Sequence, residues 1–247
     1  MTKRFENKVV VITGGSDGIG LATAKLFASE AAHVYIIGRR QELLAQAVKE
    51  IGHGVVGVQG DVSNPADVAR LYELIGRDHR KVDVVFANAG FYEVVPLDAI
   101  DESHIDAIFN VNVKGMVFTV QKALPLMTAG SAVVLNGSIA GSKGLPGQSL
   151  YNASKAAVRS FARSWTNDLK ERGIRVNVVS PGGTETRLIR SYLDAQPQVE
   201  ETLNKSVPLG RLGEPDEVAR AVLFLASSES SFVAGHELFV DGGAAAV

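Results

Sequence analysis

Three polar side chains open the question of chemistry: Ser138, Tyr151 and Lys155. Tyr151 and Lys155 stand four apart in "SLYNASKAAVRSF", a spacing that puts a phenol and an ammonium on one face of a helix. Such a pair can move a proton. A free phenol titrates near pH 10, and a neighbouring ammonium favours its anion, so the lysine could turn a poor base into a usable one. By itself the pair is ordinary helix composition. It gains meaning only with a nucleotide site elsewhere and a third polar group near it. Ser138, thirteen residues earlier at the end of an apolar run, is that third group, and the Gly-rich stretch between could fold it back beside Tyr151.

Those residues need a frame. Short β-branched runs alternate with helical patterns. The runs cover 8–13, 33–37, 55–59, 82–87, 131–137, 174–180 and 236–240, and the helices 18–29, 41–51, 65–77, about 104–127, 151–172 and 214–227. Apolar strands each followed by a helix predict an α/β fold: one doubly wound Rossmann domain over 1–247, with a mostly parallel seven-stranded sheet and helices on both faces. No linker or repeat divides the chain.

Between the first strand and first helix, "TGGSDGIG" sets Gly14, Ser16, Gly18, Ile19 and Gly20 where a backbone can approach a pyrophosphate and a helix N-terminus can meet its charge. The spacing is Gly-x-x-x-Gly-x-Gly. The 247 residues carry a net charge of -2, which gives no electrostatic reason to expect nucleic acid or an anionic membrane. Cysteine is absent, so thiolate catalysis, disulfides and cysteine zinc sites are excluded. Histidines 33, 53, 79, 104 and 236 lack ligand spacing, and no metal is expected. The N-terminal apolar run is too short for a signal peptide, and no segment approaches a membrane span; a cytoplasmic protein is expected.

Thr13-Gly14-x-x-x-Gly18-Ile19-Gly20, Asn88-Ala89-Gly90, Ser138, Tyr151-x-x-x-Lys155 and Pro181-Gly182, in that order, resemble the classical short-chain dehydrogenases/reductases over nearly the whole length. Ala87 stands where the family commonly has asparagine. The resemblance implies an oxidoreductase that interconverts a carbonyl and an alcohol by hydride transfer. Tyr151 would be general acid and base, and Ser138 would hold the substrate oxygen. Lys155 would also bond the nicotinamide ribose, and Asn112 would complete a proton relay through water. It further implies that Asp61 and Val62 border the adenine. Asn88, Ala89, Gly90 and Val111 would line the path to the nicotinamide, Pro181, Gly182 and Thr184 would pass it, and Thr186 would reach a phosphate. A homotetramer is implied, as is a substrate lid over 190–209. A catalytically silent nucleotide-binding regulator on the same fold is the competing reading, and the intact set Ser138, Tyr151, Lys155 and Asn112 argues against it.

Cofactor choice turns on the end of the second strand. An acid there would bond the ribose hydroxyl of NAD, but Gly38 occupies the position and Arg39 and Arg40 follow. Arg39 is the expected partner of a 2′-phosphate; Arg40 reads as a solvated residue opening the next helix. Asp17 pulls the other way. NADP(H) is expected, with NAD(H) as second choice. The substrate is a small carbonyl or alcohol not further defined, with pocket walls at 91–95, 139–145 and beyond Thr186.

Overall fold

A computed structural model describes residues 3–52, 54–79, 81–195 and 198–247. Seven strands form one sheet in the order β3-β2-β1-β4-β5-β6-β7. They are β1 (Val9–Thr13), β2 (His33–Gly38), β3 (Val55–Gln59), β4 (Val82–Ala87), β5 (Met127–Asn136), β6 (Arg175–Pro181) and β7 (Glu237–Val240). Every pairing is parallel. Parallel strands need crossovers, and the helices supply them: α1 (Gly18–Ser29), α2 (Gln41–Ile51), α3 (Pro65–Asp78), α4 (Glu102–Phe109), α5 (Met116–Ala123), α6 (Ser149–Asp168), α7 (Arg187–Ala195), α8 (Gln198–Lys205) and α9 (Pro215–Ala226).

Successive side chains of β1 point to opposite faces, so its uninterrupted apolar run serves two cores. Val9 and Val11 pack with Leu71 and Ile75 of α3, Val120 of α5 and Val158 of α6. Val10 and Ile12 pack with Phe27 of α1, Leu44 of α2 and Val222 of α9. Phe27 and Ile12 are fully buried, and each such side chain is worth about 1.5–3 kcal/mol.

The predicted helix over 104–127 differs most from what forms. It starts at Glu102 because Asp101 caps it, its carboxylate accepting from His104 N at 2.8 Å. Over Asn110–Gly115 the turns widen to π geometry, and α5 ends at Ala123, before Pro125. Proline has no N–H for the helical ladder. Met127 already belongs to β5, four residues ahead of the predicted strand. The stretch read as a lid contains α8 and most of α7, closed by Gly210 N bonding Val207 O at 2.8 Å.

Candidate active site

The strand order reverses between β1 and β4, and it is at such a switch that the carboxyl ends of a doubly wound sheet leave a crevice. Thr13 ends β1 there. Its Oγ1 accepts from both Asn88 N and Ala89 N at 2.9 Å, while Asn88 Nδ2 donates to Thr13 O at 2.9 Å and Gly14 O at 3.3 Å. Asn88 Oδ1 accepts from Asn136 Nδ2 at 2.9 Å, and the backbone O of Asn136 accepts from Lys155 Nζ at 2.8 Å. One line of hydrogen bonds therefore runs from β1 through β4 and β5 to the lysine of α6. Sequence reasoning passed over Asn136. The signal was available: an asparagine closing the apolar run "SAVVLN", where strands disfavour that residue.

Lys155 Nζ lies 5.5 Å from the centroid of the Tyr151 ring, and Ser138 hydrogen-bonds the Tyr151 hydroxyl. The three residues that opened the question are thus brought together. Ser138 also caps the short turn Ile139–Gly141, its Oγ accepting from Ala140 N at 3.1 Å. Gly141 packs tightly against α6, where a Cβ would stand 3.0 Å from the Lys155 carbonyl. Tyr92 packs edge-on against Tyr151 with centroids 5.0 Å apart.

Desolvation dominates both titrating groups. It pushes the Tyr151 phenol up to about 12, against the Ser138 hydrogen bond that pulls down. It pushes the Lys155 ammonium down to about 8. The simple expectation that the lysine leaves the phenol more acidic than usual does not hold in the protein alone, since burial outweighs it.

Asn112 is buried in the π-shaped stretch, a geometry frequent at functional sites. Its amide holds three groups. Oδ1 accepts from Phe91 N at 2.7 Å, and Nδ2 donates to Phe91 O at 2.9 Å and to Ser154 Oγ at 3.0 Å. Ser154 Oγ in turn donates to the Tyr151 carbonyl at 2.7 Å. Asn112 therefore fixes the loop after Gly90 against the helix that carries Tyr151 and Lys155. A Cβ on Gly90 would be 3.6 Å from Asn112 Oδ1 and 3.8 Å from Lys155 Nζ. Val62 is buried against Gly115, and Val111 packs on the same core.

The glycine loop fits a dinucleotide. Gly14 and Gly18 take left-handed backbone, φ 66° and 51°, which favours glycine. Ser16 Oγ sits 3.1 Å from where a Cβ on Gly38 would be, so the end of β2 has little room for an acid. Ile19 and Gly20 continue the first turn of α1. Pro181 ends β6, Gly182 N donates to Val240 O at 3.0 Å, Thr184 bridges to Gly213, and Thr186 Oγ1 accepts from Ile189 N at 3.4 Å at the start of α7. Asp61 is both a turn residue, accepting from Ser63 N at 2.9 Å, and the neighbour of Arg39, 3.9 Å from its guanidinium.

Two ion pairs were not read from sequence. Asp17 Oδ2 accepts from Arg187 Nε at 2.9 Å and from Arg40 Nη2 at 3.4 Å. Arg40 is the exposed N-cap residue of α2, as expected, and it also pairs with Asp17. Among the histidines, His104 is buried with neither ring nitrogen hydrogen-bonded, its Nε2 4.0 Å from Glu93, while His33 and His79 pack ring to ring; His53 lies outside the described residues. Among the described residues no helix is long and apolar enough to cross a membrane.

Residues 14–245 match the family described as Enoyl-(Acyl carrier protein) reductase. The chain is 44% identical to an oxidoreductase, asL5, of Sarocladium schorii, covering 99% of this chain and 98% of that one. It is 39% identical to the 3-oxoacyl-[acyl-carrier-protein] reductase FabG of Thermotoga maritima, over 97% of this chain and 98% of that one. A crystal structure of a short-chain dehydrogenase/reductase (glucose/ribitol dehydrogenase) from Brucella melitensis superposes with a TM-score of 0.94 at 29% identity, covering 99% of each chain. By name these relatives are an oxidoreductase, a reductase and a dehydrogenase. The chain belongs to the classical short-chain dehydrogenase/reductase family.

Proposed function

We propose that the protein is an NADP(H)-dependent reductase/dehydrogenase in which Tyr151 gives a proton to, or takes one from, the oxygen of a carbonyl/alcohol pair. The observation that carries this reading is the convergence on one phenol: Ser138 bonded to the Tyr151 hydroxyl and Lys155 Nζ 5.5 Å from its ring. The nicotinamide, when bound, supplies or accepts the hydride. Ser138 orients the substrate oxygen, and Tyr151 protonates it as negative charge develops. Lys155, held by Asn136 O, bonds the ribose and favours the phenolate in the oxidative direction. Asn112 keeps the Phe91 loop and α6 in register. A silent regulator would have no use for these four residues together.

NADP(H) is favoured because Gly38 leaves no acid for a ribose hydroxyl and Arg39 stands exposed beside it. Asp17, which weighed against a third phosphate, is offset by two arginines. The cytoplasm is the proposed location. A homotetramer is the proposed assembly, supported by the stacked Phe161 and Trp165 on α6 and by the exposed Phe232, Phe239 and Val247. Sedimentation at micromolar concentration should give a tetramer; a lone monomer refutes it. Helices α7 and α8 are the proposed lid over the substrate.

Turnover on a panel of ketones, aldehydes and alcohols, followed by nicotinamide absorbance, tests the reaction. Tyr151→Phe should lose nearly all turnover while binding cofactor. Retention of a tenth of wild-type kcat would remove Tyr151 from its role. Arg39→Ala should erase discrimination between NADPH and NADH. A wild type that prefers NADH overturns the cofactor choice.

A further inference from the structure

The glycine loop carries a carboxylate, Asp17, beside the place where a dinucleotide's pyrophosphate belongs, and like charges there repel. The structure answers with a guanidinium from 170 residues away: Arg187 Nε donates to Asp17 Oδ2 at 2.9 Å. Arg187 is the first residue of α7, where helix geometry disfavours a cation, so helix formation does not explain it. Only Nε is committed to Asp17; among the described residues the two Nη groups have no acceptor. Thr186, the preceding residue, packs on the loop itself, its Cγ2 3.1 Å from where a Cβ on Gly18 would be. Asp17, Gly18, Thr186 and Arg187 line one hollow.

We propose that Arg187 is a cofactor-binding residue: Asp17 holds its guanidinium beside the glycine loop, and its Nη groups bond the pyrophosphate of the dinucleotide, joining the first turn of α7 to the bound cofactor. A planar fork with several donors suits a phosphate. Because the pyrophosphate is common to NADPH and NADH, the assignment rests on dinucleotide binding at this loop and not on the choice between the two.

The test is equilibrium binding of NADPH and of NADH by fluorescence titration, with limited proteolysis of the 187–205 segment in parallel. Arg187→Ala should raise Kd about tenfold for both nucleotides, and Arg187→Lys, which keeps charge but loses the fork, should fall between. In the wild type, cofactor should slow cleavage within 187–205; in Arg187→Ala that protection should be lost. Arg220→Ala is the control, since Arg220 lines the same hollow of about 500 Å3 as Asp17 and Arg187 and makes no hydrogen bond to Asp17. It should leave Kd unchanged. Equal effects of Arg187→Ala and Arg220→Ala, or a Kd within twofold of wild type, overturn the proposal. A loss confined to NADPH would place Arg187 on the 2′-phosphate and overturn it as stated. A wild type that binds neither nucleotide overturns the dinucleotide reading and takes this proposal with it.

Discussion

Two glycines in helices should respond to alanine with opposite signs. A Cβ on Gly20 would stand 2.2 Å from Gly14 O, 2.9 Å from Gly14 C and 2.7 Å from Asn88 Nδ2. Two of those atoms are backbone, so no rotamer change relieves the overlap. To restore an ordinary 3.4 Å contact with Gly14 O, the loop and α1 must part by about 1.2 Å. Overpacking of this kind costs about 1–3 kcal/mol, several degrees of Tm for a chain of this size. The displaced element is also the proposed cofactor cradle, and a misplacement near 1 Å can cost on the order of a hundredfold in rate. Gly20→Ala should therefore lower Tm, cut turnover by about a hundredfold and weaken NADPH binding. Gly76, near the end of α3, has Leu126 Cδ2 at 3.7 Å as the nearest neighbour of its Cβ. Gly76→Ala should raise stability by about 0.5–1 kcal/mol and leave NADPH binding alone. Thermal melts and fluorescence titration of the two variants decide the matter. A Gly20→Ala protein whose NADPH Kd stays within threefold of wild type refutes the close-approach argument for this loop.

Lys155→Met should be inactive yet relatively more stable near neutrality than at high pH. The ammonium's folded value, about 8, lies below its ordinary 10.5, so the folded state binds fewer protons between them and wild-type stability rises with pH across that window. Below pH 8 the full burial cost, about 3 kcal/mol, is present. The variant's Tm advantage should shrink from pH 7 to pH 10, and an offset independent of pH would exclude this origin. Asn112→Ala strips Phe91 N, Phe91 O and Ser154 Oγ of their partner; kcat/KM should fall at least about tenfold, with unfolding free energy down about 2–3 kcal/mol by denaturant titration. Tyr72→Phe removes the buried bond from its hydroxyl to Thr119 O and should cost about 1 kcal/mol by the same titration without changing kcat.

Much of the frame was legible because apolar runs and turn residues are local signals. The seven strands, the first glycine loop and the helix start at Pro65 follow from periodicity and capping alone. The candidate catalytic residues were legible through motif order. What was not legible depends on pairing between distant segments. Nothing near Asp17 announces Arg187, and nothing near Lys155 announces that a strand-end asparagine will hold it. The widened turn around Asn112 has an apolar pattern that an ordinary helix would share; it shows itself only when Gly115 meets Val62 across the core. Burial, too, depends on the whole fold, which is why the direction of the Tyr151 shift had to come from structure.

The bonds that run from Thr13 to Lys155 have a consequence for local unfolding. The amide protons of Asn88 and Ala89 both end on one hydroxyl, Thr13 Oγ1, rather than on neighbouring strand carbonyls. Their exchange with solvent deuterium is thus governed by a side chain of a different strand. The carboxyl ends of β1, β4 and β5 form one opening unit, more protected than their position at a crevice rim would suggest. Thr13→Val, which keeps the shape of the side chain and removes its acceptor, would release those two amides while the middle of β4 stays closed.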